Sequence, residues 1–219
     1  MRQFRYKNNR FYLGSSNFMS DWEIYYNLMA LPSLELVQYE TPMVHFFEYV
    51  SRRIKNVSAE KAFARDFIQA FKNGSEEDAL WAAQLVSMFL HAHGLVGREY
   101  TFIAVPASTP ERHEARFSHF MREVCRLTNM NNGYGLVNVT SDRKAVHKGG
   151  RRNIVNYTVD LSIAGRKVVL FDDVCTTLHS WTTFAAMLEG MGADVVQGVF
   201  LAEASSRCHS LKAIFSDIP

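Results

Sequence analysis

The sequence predicts an α/β fold: a central, mostly parallel sheet with a mostly helical N-terminal region packed on it. Three observations carry this. From Tyr100 onward, short apolar runs alternate with stretches of helical periodicity. That order of strand, helix and strand belongs to a parallel sheet with right-handed crossovers. Lys167–Phe171 (KVVLF) has an unbroken apolar run, as a strand buried on both faces requires. And 219 residues, 47% hydrophobic and 21% charged, suffice for a full core without disulfides or a structural metal, which excludes a disordered chain.

In chain order, Met1–Tyr12 is aromatic and basic and reads as a strand or an arm. Ser20 can cap a short helix over Asp21–Leu31, and Pro32 and Pro42 interrupt the stretch beyond it. Met43–Ile54 reads as a helix, with Val44, Phe47 and Val50 along one face. Ser58 caps a helix to about Lys72, with Phe63, Phe67 and Phe71 at four-residue spacing and Gly74 at its stop. Ser75 to Asp78 resembles a capping box and opens a helix that ends near Gly94. Tyr100–Val105 is a strand, Glu111–Leu127 a helix and Gly135–Val139 a second strand. Residues 141–153 are polar and basic, and Asn156–Ile163 suggests a returning strand. After KVVLF come a helix over Ser180–Met191, with Trp181, Phe184 and Leu188 inward, and a strand over Asp194–Leu201. The reading divides the chain into a helical region, 1–97, and an α/β core, 98–219.

Composition narrows the function. A net charge of +2 gives no field that would draw nucleic acid or an acidic membrane. Cys125, Cys175 and Cys208 are odd in number, widely spaced and without a CxxC, which argues against a zinc site or a disulfide framework and for a reducing cytoplasm. The basic start lacks the apolar stretch of a signal peptide, and no apolar run is long enough to span a membrane. There is no GxxxxGK[ST], so a P-loop nucleotidase is excluded. His91 and His93 lie two apart on a helix and face different ways, which suits surface or core better than a metal.

The chemistry concentrates in Lys167–Trp181, KVVLFDDVCTTLHSW. Ligands of open α/β sheets bind at the carboxyl ends of the strands, where Asp172 and Asp173 fall. Two carboxylates there can accept hydrogen bonds from a vicinal diol. The loop Cys175–Ser180 leads into a helix N-terminus, whose free N–H groups and dipole favour a phosphate, and Thr176 and Thr177 add hydroxyl donors. Diol beside phosphate describes a ribose 5-phosphate. The plainer alternative is that the two acids end a strand and cap a helix.

This segment resembles the signature of the type I phosphoribosyltransferases: an apolar strand, two acids, two small residues, then paired threonines and a glycine. FDDVCTT matches; Leu178 stands where the family usually has glycine. Val105-Pro-Ala-Ser108, Arg112 and Arg116-Phe117 resemble the segment after an early strand in the ComF-like branch, and the likeness spans roughly 100–204. The zinc-binding N-terminal segment common in that branch is absent, since no cysteine precedes Cys125.

The resemblance implies binding of 5-phosphoribosyl 1-pyrophosphate (PRPP) with Mg2+ held largely by substrate oxygens, and transfer of phosphoribose to a nitrogen acceptor such as a nucleobase, with release of pyrophosphate. Asp172 and Asp173 would hold the ribose hydroxyls. Val174, Cys175, Thr176, Thr177, Leu178, His179 and Ser180 would surround the 5-phosphate, and Ala107 and Ser108 would lie near the pyrophosphate. Arg143 and Lys144, with Lys148, Arg151 and Arg152, form a basic segment that would close over it. The alternatives for these cations are an exposed solvated loop or, more weakly, an RNA contact, which lacks an aromatic platform. Members are often dimeric, so a homodimer is among the partners implied. Glycine allows a positive φ that costs leucine about 1 kcal/mol or more. Leu178 therefore also motivates a second reading, a non-catalytic sensor or interaction protein that keeps the fold.

Overall fold

The computed structural model describes residues 5–7, 10–12, 41–140 and 156–204. The chain starts with a short antiparallel pair, β1 (Arg5–Lys7) and β2 (Arg10–Tyr12). Next come β3 (Met43–Tyr49), α1 (Ala59–Lys72), α2 (Glu76–Ala92) and β4 (Tyr100–Ala104). A long helical stretch has three parts: α3 (Pro110–His113), a π turn (Glu114–Ser118) and α4 (His119–Thr128). The remainder is β5 (Asn131–Asn132), β6 (Val137–Val139), β7 (Tyr157–Val159), β8 (Lys167–Cys175), α5 (His179–Gly190) and β9 (Asp194–Ala204). The central sheet has five strands in the order β3-β9-β8-β4-β5, every pair parallel. The fold is thus α/β, as the alternation of elements predicts.

Two apolar layers sandwich the sheet. On one face α1, α2 and α4 bring Phe67, Phe71, Val86 and Phe120 onto Phe102, Phe171 and Val199. Phe120 and Phe171 meet with ring centroids 4.5 Å apart. On the other face α5 lays Trp181, Phe184 and Leu188 on Val168, Leu170 and Phe200. Gly198 on β9 makes the second contact possible: a Cβ there would lie 2.9 Å from Trp181 Cζ2 and 3.0 Å from Met43 Cγ. Both expected N-caps are present. Ser58 accepts from the Lys61 N–H and Ser75 from the Asp78 N–H, each at 3.3 Å.

Three expectations need correction. Met43–Ile54 is not a helix: Met43–Tyr49 is β3, an edge strand parallel to β9. The spacing of Val44, Phe47 and Val50 fits either structure over so short a window. The β-branched and aromatic residues of MVHFFEYV favour a pleated surface, and pairing with β9 decides the matter. The sheet therefore draws a strand from the first part of the chain. The second strand, expected over Gly135–Val139, is only Val137–Val139. It pairs antiparallel with β7 in a separate ribbon instead of entering the central sheet. The returning strand is shorter than Asn156–Ile163, because Asp160 accepts from the Ser162 N–H at 2.8 Å and turns the chain into a 3-10 turn over Leu161–Ile163. The helix expected over Asp21–Leu31 lies outside the described residues. Among the described residues, no helix is long and apolar enough to cross a membrane.

Candidate functional site

β8 runs on past the apolar residues to Cys175, so both acids lie inside the strand. Successive side chains of a strand point to opposite faces. Asp172 and Asp173 therefore do not share one space.

Asp172 is half-buried and faces an open depression of ≈ 220 Å³, lined with it by Cys175, Thr176, Thr177, Ser180, Trp181 and Phe200. Its Oδ1 accepts the Asp173 N–H at 2.8 Å. Burial, and next the negative charge of Asp173, push its carboxyl up to about 8; the Asp173 N–H, Lys72 and Arg116 oppose the rise. At neutral pH the group is largely protonated and can donate as well as accept.

Asp173 is 5% exposed and turns to the helical layer. Arg116 Nη1 lies 2.6 Å from its Oδ2 and Lys72 Nζ 3.3 Å from its Oδ1. Both oxygens are held by cations from the π turn and from the end of α1. The expectation that the two acids grip one diol thus becomes a division of labour: Asp172 lines the depression, and Asp173 anchors the strand end beneath it.

The turn after β8 keeps a glycine-like shape although it has no glycine. Leu178 has φ +59° and ψ −11°, in the left-handed region. That conformation costs leucine about 1–2 kcal/mol. Its side chain is 6% exposed and packs in the layer with Trp181 and Phe200, and burial of a leucine contributes about 1.5–3 kcal/mol, enough to offset the strain. Leu178 is the N-cap of α5 and supplies no side-chain cap. The first bond into the helix runs from the Thr182 N–H to the Leu178 carbonyl at 2.8 Å, so the amides ahead of Thr182 have no partner from the helix. Thr176, Thr177, His179 and Ser180 are exposed beside them, whereas Val174 and Cys175 are buried.

The loop after β4 is the neighbour of this strand end, since the Val105 N–H donates to the Phe171 carbonyl at 2.8 Å. Ala107 is buried and its N–H donates to His113 Nδ1 at 3.4 Å. Burial, and then the charge of Arg116, hold His113 down at about 4, so it stays neutral. Its ring stacks on Tyr134 at 5.2 Å. Ser108 Oγ accepts from Arg112 at 3.0 Å, and its carbonyl accepts from Asn156 Nδ2 at 3.1 Å. Arg143, Lys144, Lys148, Arg151 and Arg152 lie outside the described residues. The residues that flank them are described: the Thr140 N–H donates to the Asn156 carbonyl at 2.8 Å, beside Ser108.

Arg116 enters the sequence reading only through the resemblance, and Lys72 only as a helix end; neither is expected at Asp173. Arg122, Arg126 and Arg112 on the same helical stretch look no different in the sequence. Arg116 lies within the π turn, at helical spacing from buried His113 and Phe120. His91 and His93 are apart, as expected: His91 bonds the Ser87 carbonyl at 2.8 Å, and His93 lies on Phe89 at 4.3 Å. Among the described residues no group of three or more His, Cys, Asp or Glu could hold a metal. Asp172 is the one carboxyl among the described residues that line the depression.

The chain matches no known family model and no curated protein.

Proposed function

We propose that this chain binds PRPP with Mg2+ in the manner of the type I phosphoribosyltransferases and transfers phosphoribose to a nitrogen acceptor such as a nucleobase, releasing pyrophosphate. The observation that carries the reading is the backbone of Leu178. The residue that departs from the family pattern adopts the positive φ that a glycine would take there, so the helix N-terminus still opens on the depression beside Asp172.

In this reading Thr176, Thr177, His179 and Ser180 and the first amides of α5 receive the 5-phosphate, with Leu178, Val174 and Cys175 as the frame. Asp172 hydrogen-bonds the ribose hydroxyls. Ala107 and Ser108 face the pyrophosphate. Arg143, Lys144, Lys148, Arg151 and Arg152 cover it; the closing of their segment by Thr140 and Asn156 next to Ser108 supports that role. Mg2+ would neutralise charge on the departing pyrophosphate. The protein's own work is positioning, and stabilisation of a cation-like C1 and an anionic leaving group. The cytoplasm, which supplies PRPP and nucleobases, suits this reading.

Calorimetric titration with PRPP and Mg2+ tests it. Wild type should bind, and Asp172→Ala should bind at least about tenfold more weakly, or ~1.4 kcal/mol. No heat in wild type, or equal affinity in the variant, removes the reading.

A non-catalytic sensor is the second reading. It is motivated by Leu178, which stands where the resembled signature usually has glycine. Binding of PRPP without pyrophosphate release across a panel of nucleobases would select it; steady release would reject it.

A further inference from the structure

α2 is apolar on more sides than its place in the fold requires. Ala79, Ala82, Ala83, Val86 and Leu90 face the helical layer, where α2 packs with α1 and α4. The opposite side still carries Leu80, 38% exposed, Trp81, 39% exposed, and the half-buried Met88. On a helix that faces water that side is ordinarily polar. Trp81 is held from behind by the edge of the Phe67 ring at 4.6 Å and by the stacked Phe47 ring at 5.8 Å. A large ring is thus presented outward with little freedom left to lose on contact.

The outward residues have a symmetric order. Gln84 stands at the midpoint of α2 and is exposed. Leu80 lies four residues before it and Met88 four after; Glu77 lies seven before it and His91 seven after. Those spacings place all five on one side of the helix. Glu77 and His91 are both exposed. The stripe therefore reads acid, apolar, amide, apolar, base. Turned end for end it becomes its own complement: base meets acid, leucine meets methionine, and the amide meets itself. The His91 ring fits this order. Its Nδ1 donates to the Ser87 carbonyl at 2.8 Å, which puts Nε2 on the far side of the ring from its own helix turn.

We propose that α2 is the seam of a symmetric dimer, in which two copies of this chain cross antiparallel about Gln84. A closed two-fold contact requires a self-complementary patch, and this stripe is one. In the dimer Glu77 meets His91 of the partner subunit, and Leu80 and Trp81 pack against Met88 of the partner subunit. The two Gln84 amides donate to one another across the axis. Antiparallel helix dipoles add to the attraction. The seam lies in the helical layer, on the other side of the sheet from α5 and the depression at Asp172, so both candidate sites stay open.

Sedimentation equilibrium of the full chain over micromolar concentrations should show a species of twice the chain mass. Leu80→Lys should raise the dimer dissociation constant at least about tenfold while circular dichroism shows the helices intact. Glu77→Lys should also weaken the dimer. Glu77→Lys/His91→Glu, which reverses both charges, should return the constant to within about threefold of wild type, a rescue that a merely structural role would not predict. Gln84→Cys in a Cys208→Ser background should cross-link to a dimer under mild oxidation, because position 84 meets itself on the axis. A monomer at every concentration overturns the proposal, whether water or another part of the chain covers the stripe. So does a dimer that is indifferent to Leu80→Lys, that is not rescued by the double charge reversal, or that fails to cross-link through position 84. Should Leu80→Lys fail to fold, Met88→Lys carries the same decision.

Discussion

Arg116, within the π turn, has its Nη1 2.6 Å from Asp173 Oδ2. His113, Phe117 and Phe120 are buried at −3, +1 and +4 from Arg116, so Arg116 lies on the inward side of the helical stretch and reaches the end of β8. Lys72 closes the arrangement from α1 at 3.3 Å. The strand that carries the candidate site is thus tied to two helices through a single carboxylate.

Removal of that tie should be costly. Arg116→Met leaves Asp173 buried with Lys72 alone, and loss of one partner of a buried pair destabilises by about 3–5 kcal/mol. Lys72 should keep the loss near the lower figure. Urea unfolding would measure it, and the double variant Arg116→Met/Asp173→Leu should be more stable than Arg116→Met. A double variant no better than the single one would mean that the charge of Asp173 is not the source of the loss.

Asp172 should make stability fall as pH rises. Its carboxyl keeps its proton to about 8 in the folded chain, against an ordinary value of 3.8. Between those values the unfolded chain has released the proton and the folded chain has not, so the slope of stability with pH is negative. Asp172→Asn removes this contribution. Its stability relative to wild type should be lowest near pH 4, grow to about pH 8 and stay level above that. A difference that is constant over this range would show that the carboxyl titrates alike in both states.

Leu178→Gly sets strain against burial. Glycine removes the left-handed penalty of about 1–2 kcal/mol but forfeits about 1.5–3 kcal/mol of buried side chain and frees the unfolded chain. A net loss of about 1 kcal/mol is expected in thermal or urea unfolding. PRPP affinity should be retained, since the backbone shape is unchanged. Lost affinity would mean that the leucine side chain itself shapes the anion pocket.

Gly198→Ala tests how α5 is seated. The added carbon meets Trp181 at 2.9 Å and Met43 at 3.0 Å, and Trp181 is 1% exposed with little room to give way. Overpacking of this kind costs about 1–3 kcal/mol. Because Trp181 stands in the first turn of α5, PRPP binding should weaken along with stability. Unchanged tryptophan fluorescence and unchanged affinity would contradict that coupling.

How much of the fold and the site is legible in the sequence depends on how local the information is. KVVLF reads as a strand because burial on both faces leaves an unbroken apolar run, and YTFIAV reads as one because it is short, apolar and β-rich. Ser58 and Ser75 read as caps because the partner N–H is three residues on. Glycine at this place in the resembled signature would allow a positive φ after Thr177, and Leu178 has one. β3 misleads because its spacing fits two structures and its partner strand is distant. The acids fall at the strand's carboxyl end as expected but not on one face, because the strand continues through them. Nothing local ties Arg116 to Asp173, 57 residues away.

The position of β3 also bears on how the chain is made. Gln197 Nε2 bonds the Pro42 carbonyl across 155 positions of sequence. At ribosomal rates of about 5–20 residues per second, the nascent MVHFFEY segment waits roughly 8–30 s for the strand that completes it. Phe47 meets Phe63, Phe67 and Trp81 on the two helices made next, with ring centroids 6.1, 5.7 and 5.8 Å away. Those helices can shelter the segment on one side during translation, while its hydrogen-bonding edge stays open to a neighbouring polysome. Premature termination before β9 would leave that edge without its mate and make the fragment sticky.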